Sequence, residues 1–84
     1  MEVDRASPRA PYLQLADQLI AGIRAGEYDY RLPSATHIAQ SAGVAQMTAR
    51  KALRVVVDAG HAYVAVGMGT YVRGDADTPP DLPG

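Results

Sequence analysis

Arg50, Lys51 and Arg54 form the densest group of cations in the chain, and their spacing limits what they can do. On a helix, residues three and four apart are neighbours, so Met47, Arg50, Lys51 and Arg54 gather on one side. Fixed guanidinium and ammonium groups in such a row suit phosphate oxygens. The amide of Gln46 and the hydroxyl of Thr48, just upstream, are side chains of the kinds that read base edges. Three cations on an arbitrary helix are more often a solvated face, so the meaning of this group depends on the elements that carry it.

Other chemistries find less support. His37 and His61 stand 24 residues apart in a chain without cysteine or clustered carboxylates, so no closed four-ligand metal site assembles from them. They read as surface or cap residues. Asp58 with His61 has no nucleophile beside it, and Gly67-Met68-Gly69 lacks the following helix and lysine that a phosphate-cradling loop requires, so it reads as a turn. Tyr12, Tyr28, Tyr30, Tyr63 and Tyr71 are dispersed and read as core-edge packing rather than a stacking platform. No catalytic residue, metal or cofactor is expected, and the chain does not read as an enzyme.

The elements must fit into 84 residues, of which 48% are hydrophobic and none is cysteine. That is one compact soluble domain, held by a small core rather than by disulfides or zinc, and it points to the cytoplasm. No apolar run approaches the roughly 20 residues that span a bilayer, and Met1-Glu2-Val3-Asp4 is acidic where a signal peptide is basic. Neither export nor membrane insertion is expected. The net charge of −1 argues against a polyanionic partner until it is partitioned. Residues 31–73 hold five basic residues against Asp58 alone, whereas residues 74–84 carry three aspartates and residues 1–30 are also net acidic. A basic patch survives inside a formally acidic chain.

Residues 1–10 are polar and read as a flexible arm. Tyr12–Ala25 has a helical period through Leu13, Ala16, Ile20 and Ile23, with Pro11 suited to the first turn and Gly26 to the stop. Gly22 weakens this helix slightly. Residues 26–33 form a connector with one short extended piece. Ser34 is placed to cap a second helix over Ala35–Ala42, Gly43 is the left-handed residue that ends it, and Val44 plugs the angle before a third helix from about Ala45 to Ala59. On that helix Ala49, Ala52, Leu53, Val56 and Ala59 form the core stripe, which leaves the basic side outward. After Gly60 the period changes to two, giving a hairpin over 61–73 that turns at Gly67-Met68-Gly69. Residues 74–84 read as a disordered acidic, proline-containing tail. A helix, a helix-turn-helix and a hairpin make a mainly α, α/β winged helix with three helices and a two-stranded wing, over residues 11–73.

In this order and spacing the residues resemble the DNA-binding domain of the GntR family of bacterial transcription regulators, from about Pro11 to Val72. The resemblance rests on Pro11-Tyr12 before an Ala/Leu/Ile helix and on Arg31-Leu32-Pro33-Ser34 after Gly26. It continues through Ile38-Ala39, Gly43-Val44, Thr48-Ala49-Arg50-Lys51-Ala52-Leu53, Gly60, and Gly67-Met68-Gly69-Thr70-Tyr71-Val72. It implies a repressor-type protein acting by promoter occupancy, with the third helix in the major groove and the wing tip in the neighbouring minor groove. The DNA-facing positions it implies are Ser34, Thr36, Ala45, Gln46, Met47, Thr48, Arg50 and Gly67 to Gly69, including Met68. Arg31, Lys51 and Arg54 add phosphate contacts, with Arg73 as a further candidate. The family often has arginine where this chain has Thr36 and Gln46, and Ser or Thr at Ala45 and Met47. Its members typically carry a larger C-terminal effector domain, so the chain reads as a domain excerpt or an unusually short regulator. The implied partner is duplex DNA, with two copies on a palindromic operator. The rival reading is a winged helix that binds protein through Met47 and the hairpin, without DNA.

Overall fold

In the computed structural model, which describes residues 1–73, three helices precede a two-stranded antiparallel hairpin: α1 (Pro11–Arg24), α2 (Ala35–Ala42), α3 (Gln46–Asp58), β1 (Ala62–Ala65) and β2 (Gly69–Val72). Pro11 opens α1, where its missing N–H costs nothing, and the N–H groups of Leu13 and Gln14 donate to the Ala10 carbonyl. At the other end the Gly26 N–H donates to Ile23 and the Glu27 N–H to Gly22, a paired closure of the last carbonyls. The same pairing closes α3, from Gly60 to Val57 and from His61 to Val56. That closure turns the chain straight into the hairpin.

α2 begins as the sequence predicts. The Ser34 Oγ accepts the His37 N–H at 3.1 Å, which satisfies one of the free donors of the first turn. The helix ends at Gly43, whose φ of 68° lies where a side chain would be strained, and the chain reverses there into α3. The segment between α1 and α2 supplies the expected extended piece. Arg31 bridges Tyr71, the Leu32 N–H donates to Thr70, and the Val72 N–H donates to Tyr30, so β2 has a partner on both edges.

The core consists of Leu15, Ala16 and Leu19 from α1, Leu32 from the segment between α1 and α2, Ile38 from α2, Ala49, Ala52 and Val56 from α3, and Ala62 from β1. α1 differs from its expected stripe. Leu15, Ala16, Leu19 and Gly22 are buried, whereas Leu13, Ile20 and Ile23 are only half-buried. The helix is apolar over a wide arc, so two overlapping stripes satisfy the same period and packing against α3 selects one. Gly22 has a packing role as well: a Cβ there would stand 2.6 Å from the Tyr28 ring, which folds back over it. Burial, and then the neighbouring Glu27 carboxylate, raise the pKa of the Tyr28 phenol. On α3, Leu53 is half-buried and Ala59 exposed, because the helix closes at Asp58 and Gly60 turns the chain away.

Residues 1–10, read from the sequence as a flexible arm, lie along α1. Gln14 and Gln18, one turn apart, clamp the arm's backbone. The Gln14 amide accepts from the Asp4 N–H at 2.7 Å and donates to the carbonyls of Asp4 and Arg9, both at 2.8 Å, and Gln18 pairs likewise with both backbone groups of Glu2. Arg9 forms a two-point ion pair with Asp17, which raises the arginine's pKa further. The Arg5 guanidinium reaches the Gly43 carbonyl at 3.0 Å, so the arm also touches the turn between α2 and α3. Residues 74–84, with the tail expected there, lie outside the described residues.

Candidate nucleic-acid interface

α3 packs its alanine stripe against α1 and presents its opposite side to solvent next to the hairpin. Between them runs an open groove of about 390 Å³. Leu53, Val57 and Val64 line it with apolar side chains, and Met47, Arg50 and Arg54 line it as well. The structure thus brings together the cations that the helical spacing grouped, and it also separates their circumstances. Arg50 is exposed and forms no ion pair among the described residues. Lys51 leans toward α1, its ammonium 5.8 Å from the centre of the Tyr12 ring. The Arg54 Nε donates to Asp58 at 3.1 Å, one turn further along α3, in a pair open to water on both sides.

Arg31, although distant from α3 in sequence, belongs to the hairpin. A Cβ on Gly69 would come within 3.1 Å of both Nε and Nη2 of Arg31, so the absence of a side chain at Gly69 lets the guanidinium lie across β2 and adds a positive charge to the wing. The wing tip is apolar as well as thin. Val66 is 95% exposed and Met68 62% exposed on either side of Gly67. Arg73 follows β2, exposed, with its N–H donating to the His61 carbonyl.

At the start of the two helices, Ser34, Thr36, Ala45 and Gln46 are exposed, as is Met47, whereas Thr48 is half-buried. Ser34 accepts a backbone hydrogen bond and keeps its own hydroxyl proton for an external acceptor. Gln46 and Thr36, both expected to face DNA, are joined: the Gln46 Nε2 donates to the Thr36 Oγ1 at 3.0 Å. No sequence signal marks this contact, because the residues lie ten positions apart on helices whose crossing is set by the core.

The tyrosines are less dispersed than the sequence suggests. Tyr63 and Tyr71 stand opposite each other in the β1–β2 register and stack at 5.8 Å between ring centres, and Tyr30 stacks on Tyr71 at 6.1 Å. They form a row on the sheet face turned away from α3. Centring the hairpin on Gly67 pairs positions 63 and 71, so one of the two stacks was available from the sequence. His37 is exposed, Asp58 faces Arg54 rather than His61, and among the described residues no group of three or more His, Cys, Asp or Glu gathers. Among the described residues no helix is long and apolar enough to cross a membrane.

Comparison with known proteins agrees with this geometry. The model of the bacterial regulatory proteins of the gntR family matches residues 11–72. The HTH-type transcriptional repressor NagR of Bacillus subtilis (strain 168) is 38% identical over 74 residues, which cover 86% of this chain and 30% of NagR. The chain therefore spans less than a third of that relative's length. YtrA from Sulfolobus acidocaldarius, a GntR-family transcription factor, superposes with a TM-score of 0.77 at 34% identity, over 87% of this chain and 79% of its own. The N-terminal domain of AraR, solved in complex with a mutant ORR3, superposes with a TM-score of 0.70 at 29% identity, over 79% of this chain and 99% of its own. The chain belongs to the gntR family of bacterial regulatory proteins and has that family's winged helix-turn-helix fold.

Proposed function

We propose that residues 11–73 bind duplex DNA sequence-specifically and regulate transcription, as a repressor that occupies a promoter. The observation that carries this reading is the exposed side of α3, where Gln46, Met47 and Arg50 stand clear of the core beside a wing made positive by Arg31. In this reading α3 enters the major groove with Gln46, Met47 and Thr48 toward bases, while Ser34, Arg50, Lys51 and Arg54 meet phosphates and Gly67 to Gly69 touch the adjacent minor groove. Two copies on half-sites about 34 Å apart form a homodimer on a palindromic operator, in the cytoplasm and without a cofactor. The repressor named among the relatives supports the direction of regulation.

Selection of bound sequences from a random duplex pool, followed by titration of the recovered site against a scrambled one, tests the proposal. A recovered palindrome bound more tightly than its scrambled control is the expected result. The exposed apolar residues Met47, Val64, Val66 and Met68 favour one rival, a protein-binding wing. Under that rival no duplex is enriched and binding to any duplex is absent or non-specific.

A further inference from the structure

The hydrogen bond between Thr36 and Gln46 leaves the glutamine amide in a defined state. Nε2 carries two protons, and the Thr36 Oγ1 accepts one of them at 3.0 Å. What remains for an external partner is the other N–H and the carbonyl oxygen Oε1, one donor and one acceptor that lie side by side when the N–H held by Thr36 is the one turned away from Oε1. Both residues are exposed, so these free atoms face solvent at the start of α3. A single donor and acceptor in one plane complement the N7 acceptor and N6 donor of adenine on its major-groove edge. They do not complement guanine, whose O6 and N7 both accept.

Anchoring matters because an exposed glutamine has many rotamers, and ordering them on binding opposes a base contact. Tied to Thr36, the amide enters a duplex already oriented. We infer that Thr36 is the positioning residue for Gln46: it fixes the amide with Oε1 and one N–H outward, and so makes the chain select adenine at the base pair Gln46 faces. The inference rests on the reading of α3 as the base-reading helix and adds to it the base selected and the residue that sets the selection.

The test uses the full 84-residue chain and the site recovered from a random duplex pool, with each half-site position replaced by every other base pair. The wild-type chain is expected to prefer A·T at one position of each half-site by roughly tenfold, the scale of one bidentate base contact. Gln46→Ala levels that position. Thr36→Val, which keeps the branched shape and removes the hydroxyl, reduces the preference there to about threefold or less, read against the preferences at the other positions of the same site. Thr36→Ser, which retains the hydroxyl, keeps the preference, and Thr36→Val adds nothing once Gln46 is alanine. An unchanged preference in Thr36→Val overturns the inference. So does a G·C preference at the Gln46-dependent position, because it requires the amide turned with both N–H groups outward. If Gln46→Ala alters no position, or no sequence is selected at all, the underlying base-reading role fails and the inference falls with it, a result visible before any Thr36 variant is made.

Discussion

Ser34 caps α2 with its oxygen, and in the proposed interface its hydroxyl proton meets phosphate. Removing the cap in Ser34→Ala is expected to lower unfolding free energy by about 1 kcal/mol in chemical denaturation. Ser34→Asp restores the cap, since aspartate is as good an acceptor at this position, yet it places a negative charge where the proposed interface meets phosphate. Stability near wild type with weakened duplex binding is the expected outcome, and unimpaired binding in that variant would remove the start of α2 from the interface. Arg50 and Arg54 also differ at this scale. Arg50 has no acidic partner among the described residues, whereas Arg54 is shared with Asp58. Arg50→Ala is therefore expected to weaken binding more than Arg54→Ala and to reduce the salt slope of binding by about 1, both measured by fluorescence anisotropy. Equal effects would mean that the Asp58 pair opens freely on DNA.

α1 shows how an element can contradict the propensity of its own residues. A glycine inside a helix costs about 1 kcal/mol relative to alanine, so Gly22→Ala would stabilise an isolated α1. In the folded chain the new Cβ would meet the Tyr28 ring at 2.6 Å, and forcing an extra methyl group into a packed site costs about 1–3 kcal/mol. Gly22→Ala is expected to lower the melting temperature, and in a Tyr28→Ala background the same change should raise it. A stabilising effect in both backgrounds would show that the ring moves aside without loss. Features decided by local contacts were legible in the sequence, and those decided by packing were not. The helix-turn-helix and hairpin were legible because Ser34, Gly43, Gly60 and the change of period are local signals, and local hydrogen bonds decide those boundaries. The buried stripe of α1 was not, because its wide apolar arc leaves the choice to α3. Arg50, Lys51 and Arg54 were legible as a group from helical spacing alone. The partners that distinguish them, Tyr12 and Asp58, are visible only once the helices are packed, and the Thr36–Gln46 bond and the placing of Arg31 over Gly69 depend on long-range geometry in the same way.

Across the whole chain, the formal charge of −1 hides a partition with direct consequences for binding to a polyanion. Residues 31–73 carry five basic residues, and the one acidic residue among them, Asp58, sits on α3 against Arg54. If three to five cations neutralise phosphates, the logarithm of the binding constant should fall with the logarithm of salt concentration at a slope of about −3 to −4.5. Asp58→Asn removes the carboxylate that faces Arg54 and would otherwise repel approaching phosphates. The Arg54–Asp58 pair is open to solvent, with side chains 78% and 64% exposed, so its loss is expected to cost at most about 0.5 kcal/mol of stability. The duplex should gain from the same change: binding at low salt tightens, and the slope steepens by up to about 0.9 as Arg54, no longer shared with Asp58, meets phosphate fully. The gain should vanish near 1 M salt, where the Debye length is about 3 Å and a charge one helical turn away is screened. Titrations of both proteins against one duplex at several salt concentrations decide the matter. A tighter complex with an unchanged slope would assign the effect of Asp58 to repulsion alone, and an unchanged complex would place the last turns of α3 outside the DNA footprint.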